Sequence, residues 1–504
     1  MHVGAALGEL AQRCPERIAI VEGGMEWSYA QFVARIARFG NALHGLGLTR
    51  GDRVALLLPD MREYLEADYG AMAAGFVRVP LDPRMTRPEL VQALRYAGAR
   101  MLVTHDSFAE QTAGLRADVE DLAHVIGIGA AIDGALRYET LLEKATDRIL
   151  PDGDGDDLAS LNFSGGTTSA PKAIMLRHRN LVTAARTTIR GFDIGPETVF
   201  LNVRPLWPIA QIILMSHVLA GATVVLGGRF EAEKFAALLA RSRATRTSLV
   251  PTQLVRLIEH LRTGEDRLAH LQAIHVGGSR IPPEMFARAL DLLGPRVGVL
   301  YGLTEAPVTC YLPPERLDTD AVRRRERMES VGAVLPGYQV QIAQPDDRQS
   351  GEVLIRGGNV MAGYWRDEAA TRAALDDGWL HTGDIGRFDA DGNLCIVGRL
   401  KEVIRTGSSS VLPKEVEDVI ARHPAVSEVA VLGLPDAEWG ESVTAFVVLK
   451  PGMAASEDAL VEHCRVHLAA YKKPRAVRFV ASLPRSHYGK VLRAQLIAEA
   501  GAGA

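Results

Sequence analysis

The chain has 504 residues, 47% of them hydrophobic and 23% charged, with a formal net charge of −4. That length exceeds what one ordinary core accommodates, so at least two domains are expected. The slightly acidic balance, without a basic stripe, excludes a nucleic-acid binder and argues against docking on an anionic membrane.

The first twenty residues lack the basic start and apolar run of a signal peptide, so a cytoplasmic protein is expected. Cys14, Cys310, Cys395 and Cys464 are scattered, with no C-x-x-C pair, which fits a reducing compartment and gives no metal or disulfide signal. From residue 27, apolar positions recur at helical spacing behind Ser28, a good N-cap, and glycines close the stretch near residue 47. "RVALLLP" reads as a buried strand, "LEADYGAMAAGF" as a helix, and "VRVPLDP", "ARMLVTHD" and "AHVIGIG" as further strands. Strands alternating with helices predict a largely parallel sheet covered on both faces.

The acidic run "PDGDGDD" (Pro151–Asp157) lacks the downstream glutamate of a calcium loop and reads as a solvated linker. "FSGGTTSAPKA" (Phe163–Ala173) follows it. Its small residues let backbone N–H groups approach an anion closely. It is not the common nucleotide loop: counting from Gly166, Pro171 stands where the second glycine belongs, and Ala173 follows the lysine where a hydroxyl should be.

Ile212–Gly227 is the most apolar long window, but Ser216 and His217 interrupt it and it is too short to span a bilayer. A buried helix and a strand are expected there. Alternation resumes with "ATVVLGG", "TRTSLVP", "LQAIHVGGS" and "RVGVLYG", and gives way near residue 330 to short, turn-punctuated strands such as "GEVLIRGG" and "NLCIVG". The last hundred residues read as a separate unit of two strands between helices, and the tail "AGAGA" as disordered.

Six motifs in this order resemble the adenylate-forming superfamily of acyl-CoA synthetases, carrier-protein adenylation domains and beetle luciferases. They are Ser164–Lys172, "YGLTE" (Tyr301–Glu305), Gly351–Trp365, "GWLHTGD" (Gly378–Asp384), Gly398–Glu417 and Tyr471–Arg493. Each alone has a blander reading: "HTGD" is ordinary turn chemistry, and a lysine in "YGKVLR" is a solvated charge. Their order over nearly the whole chain makes the resemblance specific. It implies an α/β fold: a large N-terminal domain of layered α/β subdomains with a distorted β-barrel region, over residues 1–400. A small, mobile α+β C-terminal domain, 401–504, would follow a hinge near Lys401.

The resemblance also implies ATP-dependent adenylation of a carboxylic acid with release of pyrophosphate, followed by thioester formation with CoA. Ser164, Gly165, Gly166, Thr167, Thr168, Ser169 and Lys172 would wrap the outer phosphates. Thr304 would touch the α-phosphate and Glu305 would hold Mg²⁺. Tyr301 would stack on adenine beside Gly278, Ser279 and Arg280, while Asp384 and Arg399 would take the ribose hydroxyls. Lys490 would oppose the charge between the α-phosphate and the attacking carboxylate. Both reactants are anionic, so such a site works mainly by positioning and charge neutralisation.

Three departures stand out. In the phosphate loop, Gly165, Ser169 and Ala173 replace a serine and two glycines, and the remaining hydroxyls are expected to preserve phosphate binding. In the hinge region Gly407 is followed by Ser408, where relatives carry a second glycine beside the CoA path. One reading is an adenylating enzyme whose thioester step belongs to a partner acyltransferase, CoA ligase or carrier protein; the other is a tolerated change. In "RPLWPIAQ" (Arg204–Gln211) Trp207 keeps an aromatic of the acyl pocket, which Gly277 and Gly302 would complete, but Pro208 and Gln211 depart. An apolar or cyclic acid is expected, because no aspartate stands in that segment to clamp an α-amino group. A non-catalytic nucleotide-binding relative is the remaining alternative, disfavoured because a pure binder would need neither Glu305 nor Lys490.

Overall fold

The computed structural model describes residues 1–148, 153–163, 172–207, 211–261, 268–317, 327–347, 349–407, 409–485 and 491–501. The chain divides into two compact units. One comprises Met1–Met328, Gly332–Gln339 and Ile355–Leu380; the other comprises Glu329–Val331, Val340–Leu354 and His381–Ala504.

Local signals account for most of the first unit's elements. Helix Tyr29–Gly45 begins at Ser28, where a reciprocal capping box forms: the Gln31 N–H donates to Ser28 Oγ at 3.3 Å, and the Ser28 N–H donates to Gln31 Oε1 at 2.9 Å. Strands Arg53–Leu57 and Val77–Pro80 are buried nearly throughout, as expected of parallel strands with both faces covered. The one charged residue on the second of them, Arg78, is paired with Asp68 of helix Arg62–Ala73 at 2.9 Å.

Two sheets form the body of this unit. Among the described residues, one sheet runs in the order Gly363–Tyr364, Ala173–Arg177, Leu158–Phe163, Val77–Pro80, Arg53–Leu57, Ala99–His105, His124–Ile128 and Leu136–Arg137. It is parallel from Leu158–Phe163 onward, and its first two strands are antiparallel additions at the edge. The other sheet centres on parallel strands Thr223–Leu226, Val199–Asn202, Arg246–Leu249, Ala273–Val276 and Val297–Tyr301. Leu201, Leu249, Ile274 and Val276 of that sheet pack with Leu254, Leu257 and Phe286 of the covering helices.

The apolar window is helix Gln211–Ala220 followed by strand Thr223–Leu226. Its two polar interruptions bond back one turn: Ser216 Oγ donates to the Ile212 carbonyl at 2.6 Å, and His217 Nδ1 lies 2.7 Å from the Ile213 carbonyl. Burial pushes the His217 imidazole down to about 3, which keeps it neutral in the core. No helix among the described residues is long and apolar enough to cross a membrane.

The short, turn-punctuated strands expected from about residue 330 form, among the described residues, a five-stranded sheet of Tyr338–Ala343, Gly351–Gly357, Leu375–Asp376, Trp379–Phe388 and Leu394–Arg399. The second unit contains a further sheet of Ser409–Val411, Ile404–Thr406, Gly440–Leu449, Val426–Asp436 and Ala476–Phe479. Alternation along Gly440–Leu449 serves two cores. Val443, Ala445 and Val447 face Val416, Ile420, Leu460 and Cys464, while Phe446 joins Leu483, Leu496 and Ala500 on the other face.

One expectation is corrected. The terminal run was expected to be disordered from Ala500, but helix Arg493–Gly501 continues through Ala500, which is buried against Phe446 and Leu496; residues 502–504 lie outside the described residues. The acidic run faces solvent as expected, with Gly153, Asp154 and Asp156 exposed. Its described part is pinned by arginines, Asp157 pairing with Arg50 and Asp156 with Arg177 and Arg179, because strand and helix neighbours crowd the run with positive charge.

Replacing Ser28 by Ala removes half of the reciprocal cap. Chemical denaturation of the Ser28→Ala variant is expected to show a loss of about 1 kcal/mol, and an unchanged midpoint would refute that role.

Candidate active site

Parallel strands deliver their connecting loops to the same edge of a sheet, outside the strands' C-terminal ends. Here that edge receives three of the sequence-singled segments. Strand Val199–Asn202 leads to Arg204–Trp207, strand Ala273–Val276 to Gly277–Arg280, and strand Val297–Tyr301 to Gly302–Glu305. The last two strands are direct neighbours, with Val276 in register with Val299. The candidate adenine loop and the Tyr301–Glu305 turn therefore leave the sheet side by side.

Two glycines at this edge answer to steric limits of the protein itself. A Cβ on Gly277 would lie 2.4 Å from Leu300 Cδ1, and one on Gly302 would lie 2.4 Å from the Val308 nitrogen. Both positions exclude a side chain without needing a ligand to explain them. Gly278, Ser279 and Arg280 are exposed, and Gly278 has a φ of +94°. The turn after Gly302 is closed by paired backbone bonds between Leu303 and Ala306, at 3.1 and 3.2 Å. This leaves Thr304 and Glu305 at its tip, half-buried.

The phosphate-loop segment Ser164–Pro171 lies outside the described residues, so Ser164, Gly165, Gly166, Thr167, Thr168 and Ser169 have no structural account. Both its ends are described. Strands Leu158–Phe163 and Ala173–Arg177 are antiparallel neighbours with Phe163 opposite Ala173, so the loop starts and ends at one place on the sheet. Lys172 is exposed there, and its Nζ stands 5.2 Å from the centroid of the Tyr364 ring. Tyr364 in turn donates its hydroxyl hydrogen to Glu305 Oε1 at 3.1 Å. Burial, together with the Glu305 charge, pushes the Tyr364 phenol well above its ordinary range, so it remains a donor.

In the second unit Asp384 and Arg399 are register partners on adjacent antiparallel strands, and Arg399 Nε lies 2.9 Å from Asp384 Oδ1. Asp384 is only 2% exposed, so its ion pair offsets the cost of placing a carboxylate there. Lys401 follows in the short turn Leu400–Glu402. Gly407, with a φ of +58°, opens the reversal between Thr406 and Ser409, and its N–H donates to the Trp439 carbonyl at 2.7 Å. Ser408 and Lys490 lie outside the described residues, as does Pro208.

The sequence reading missed residues that reach this region from the other sheet. Asp60, after strand Arg53–Leu57, accepts the Leu206 N–H at 2.6 Å. Arg84, beyond strand Val77–Pro80, stands 5.7 Å from the Trp207 ring centroid. Thus an aspartate does stand beside the Arg204–Gln211 segment, although none occurs within it. Tyr364 was inside a quoted motif but had no assigned contact. None of the three carries a local signal, since each meets its partner across a long stretch of chain.

A divalent cation at Glu305 passes a test of donor chemistry. Among the described residues, no group of three or more His, Cys, Asp or Glu side chains could hold a metal by itself. A single carboxylate fits Mg²⁺, which commonly takes one or two carboxylates and completes its shell with phosphate oxygens and water.

Residues 7–365 match the model of the AMP-binding enzyme family, and residues 415–490 match that of the AMP-binding enzyme C-terminal domain. The chain belongs to this family of adenylate-forming enzymes. It is 33% identical to a feruloyl-CoA synthase of an Amycolatopsis species, over 96% of each chain. It is 32% identical to an indoleacetate–CoA ligase of Aromatoleum aromaticum, over 97% of this chain and 95% of that one. Its fold matches the crystal structure of ATP-bound MatB from Rhodopseudomonas palustris with a TM-score of 0.89 at 29% identity, over 99% of both chains.

Burial lifts the Asp60 carboxyl to about 6, while the Leu206 N–H opposes the rise. A carboxyl raised above its unfolded value of 3.8 binds its proton more tightly in the native state. Its stabilising effect is therefore complete below that value and lost as pH rises through about 6. Asp60→Asn is expected to leave Tm unchanged near pH 4 and to raise it above pH 6. An equal effect at both pH values would contradict the assignment.

Proposed function

We propose that this chain adenylates a carboxylic acid with ATP and then transfers the acyl group to CoA. The carboxylate oxygen attacks the α-phosphorus, the bond to the bridging oxygen of the β-phosphate breaks, and pyrophosphate leaves. The thiol of CoA then attacks the acyl carbonyl, loses its proton, and AMP departs. The observation that carries this reading is the convergence of Lys172, Tyr364 and Glu305 beside the loop edge that holds Tyr301 and Gly277–Arg280.

In this reading Tyr301 stacks on adenine, with Gly278, Ser279 and Arg280 around the base. Asp384 takes the ribose hydroxyls, held in orientation by Arg399. Thr304 touches the α-phosphate, while Lys172 and the Ser164–Ser169 loop hold the outer phosphates. Glu305 binds Mg²⁺, which would supply charge neutralisation at the phosphate oxygens. Lys490 faces the attacking carboxylate. Residues 1–400 and 401–504 act as two domains that turn about Lys401 between the half-reactions.

The named acids of the relatives, ferulate and indoleacetate, support an apolar or cyclic substrate. A location in the cytoplasm is supported by four cysteines that are all free. A second reading keeps adenylation and leaves the thioester step to a partner protein; Ser408 in place of the usual glycine is the observation that favours it.

Pyrophosphate release over a panel of carboxylic acids, with and without CoA and with hydroxylamine to trap the adenylate, tests both readings. Release with no acid tested would refute the proposal, and hydroxamate without any thioester would select the second reading. Lys490→Ala is expected to abolish adenylation, a loss of at least about 10²-fold, with ATP binding retained. Ser408→Gly is expected to raise CoA-dependent turnover if the serine narrows the thiol's path; an unchanged rate would count against that.

A further inference from the structure

The segment Asn359–Trp365 is bound on several sides. The Met361 N–H donates to the Glu305 carbonyl at 2.8 Å, and the Ala362 N–H to the Met175 carbonyl at 2.9 Å. Gly363 and Tyr364 pair with Met175 and Ile174, and the Trp365 N–H reaches the Ala173 carbonyl at 2.8 Å. Trp365 also exchanges hydrogen bonds with Tyr96, and the Tyr364 N–H donates to Thr371 Oγ1 at 2.9 Å. These bonds fix the Tyr364 backbone against the strand that begins one residue after Lys172 and against the turn that carries Glu305.

From that fixed point the Tyr364 side chain does two things. Its hydroxyl donates to one oxygen of the Glu305 carboxylate, and its ring face lies under the Lys172 ammonium within cation–π range. A carboxylate held by one such donor presents its other oxygen in a set direction, and a lysine resting on an aromatic face is restrained near one position. Both groups are those through which the proposed reaction meets its phosphates.

We propose that Tyr364 is a positioning residue: it orients Glu305 toward Mg²⁺ and holds Lys172 beside the phosphates, coupling the two. This rests on the roles given above to Glu305 and Lys172. Groups that orient a metal-binding carboxylate typically change metal affinity about 10- to 100-fold when removed.

The test measures ATP binding to the full chain by calorimetry, with Mg²⁺ and without it, for the wild type, Tyr364→Phe and Tyr364→Leu. It needs no turnover, so it reads Tyr364 even where the adenylation assay fails. Tyr364→Phe keeps the ring and loses the donor; it is expected to weaken the Mg²⁺-dependent gain in ATP affinity about tenfold and to leave Mg²⁺-free ATP binding unchanged. Tyr364→Leu is expected to weaken Mg²⁺-free binding as well, because Lys172 loses its platform. Where Tyr364→Leu fails to fold, as read by its thermal transition, Tyr364→Phe alone carries the test. A Tyr364→Phe variant with the wild-type Mg²⁺ dependence would overturn the proposal. So would equal weakening by Tyr364→Phe with and without Mg²⁺, which marks a merely structural role.

Discussion

A single backbone hydrogen bond, from the Met361 N–H to the Glu305 carbonyl, ties together two parts of the chain on which the candidate site depends. Glu305 stands on a turn beyond strand Val297–Tyr301 of one sheet, whereas Met361 precedes the short strand Gly363–Tyr364 that edges the other. Two sheets that each bury their own helices have no inherent register with one another. Where such a register matters, specific polar contacts must set it, because apolar packing is non-directional. Met361, Tyr364 and Asn359 provide such contacts here, the last through bonds from its Nδ2 to the Pro307 carbonyl and Thr309 Oγ1, each at 3.1 Å.

The electrostatic problem explains why this tether lies where it does. Joining a carboxylate to a polyphosphate brings like charges together, and a site for that reaction has to present fixed positive charge and a cation before the reactants arrive. Lys172 is exposed and carries a flexible stem, so an unrestrained ammonium would sample many positions. The Tyr364 ring restrains it without neutralising it. Burial holds the Tyr364 phenol protonated, so it stays a hydrogen-bond donor to Glu305. In the second unit the Asp384–Arg399 pair follows a different rule: strand register brings the two together, and burial of the aspartate makes the partner necessary.

Much of the fold was legible because its signals are local. The helix behind Ser28 announces itself through an N-cap and a glutamine three residues on, and both bonds of the box form. The apolar window with Ser216 and His217 divides into helix and strand as expected, since a polar side chain on a helix can bond the backbone carbonyl four residues earlier. Of the motifs resembling adenylate-forming enzymes, Tyr301–Glu305 falls at the C-terminal edge of one parallel sheet, where its strand places it. The first residue of the tail was misread because Ala500 looks uninformative in isolation, and only the apolar face of Gly440–Leu449 gives it something to bury against.

By itself the sequence determined the family, the alternation of strands and helices, and the residue types available to neutralise phosphate charge. These depend on short-range periodicity and on motif order, both properties of the chain as written. Only the tertiary structure decided which side chains meet. Asp60 reaches the Leu206 N–H across 146 residues, and Tyr364 reaches Glu305 across 59. No local propensity encodes contacts of that range; they follow from how two sheets edge one another once their cores are buried.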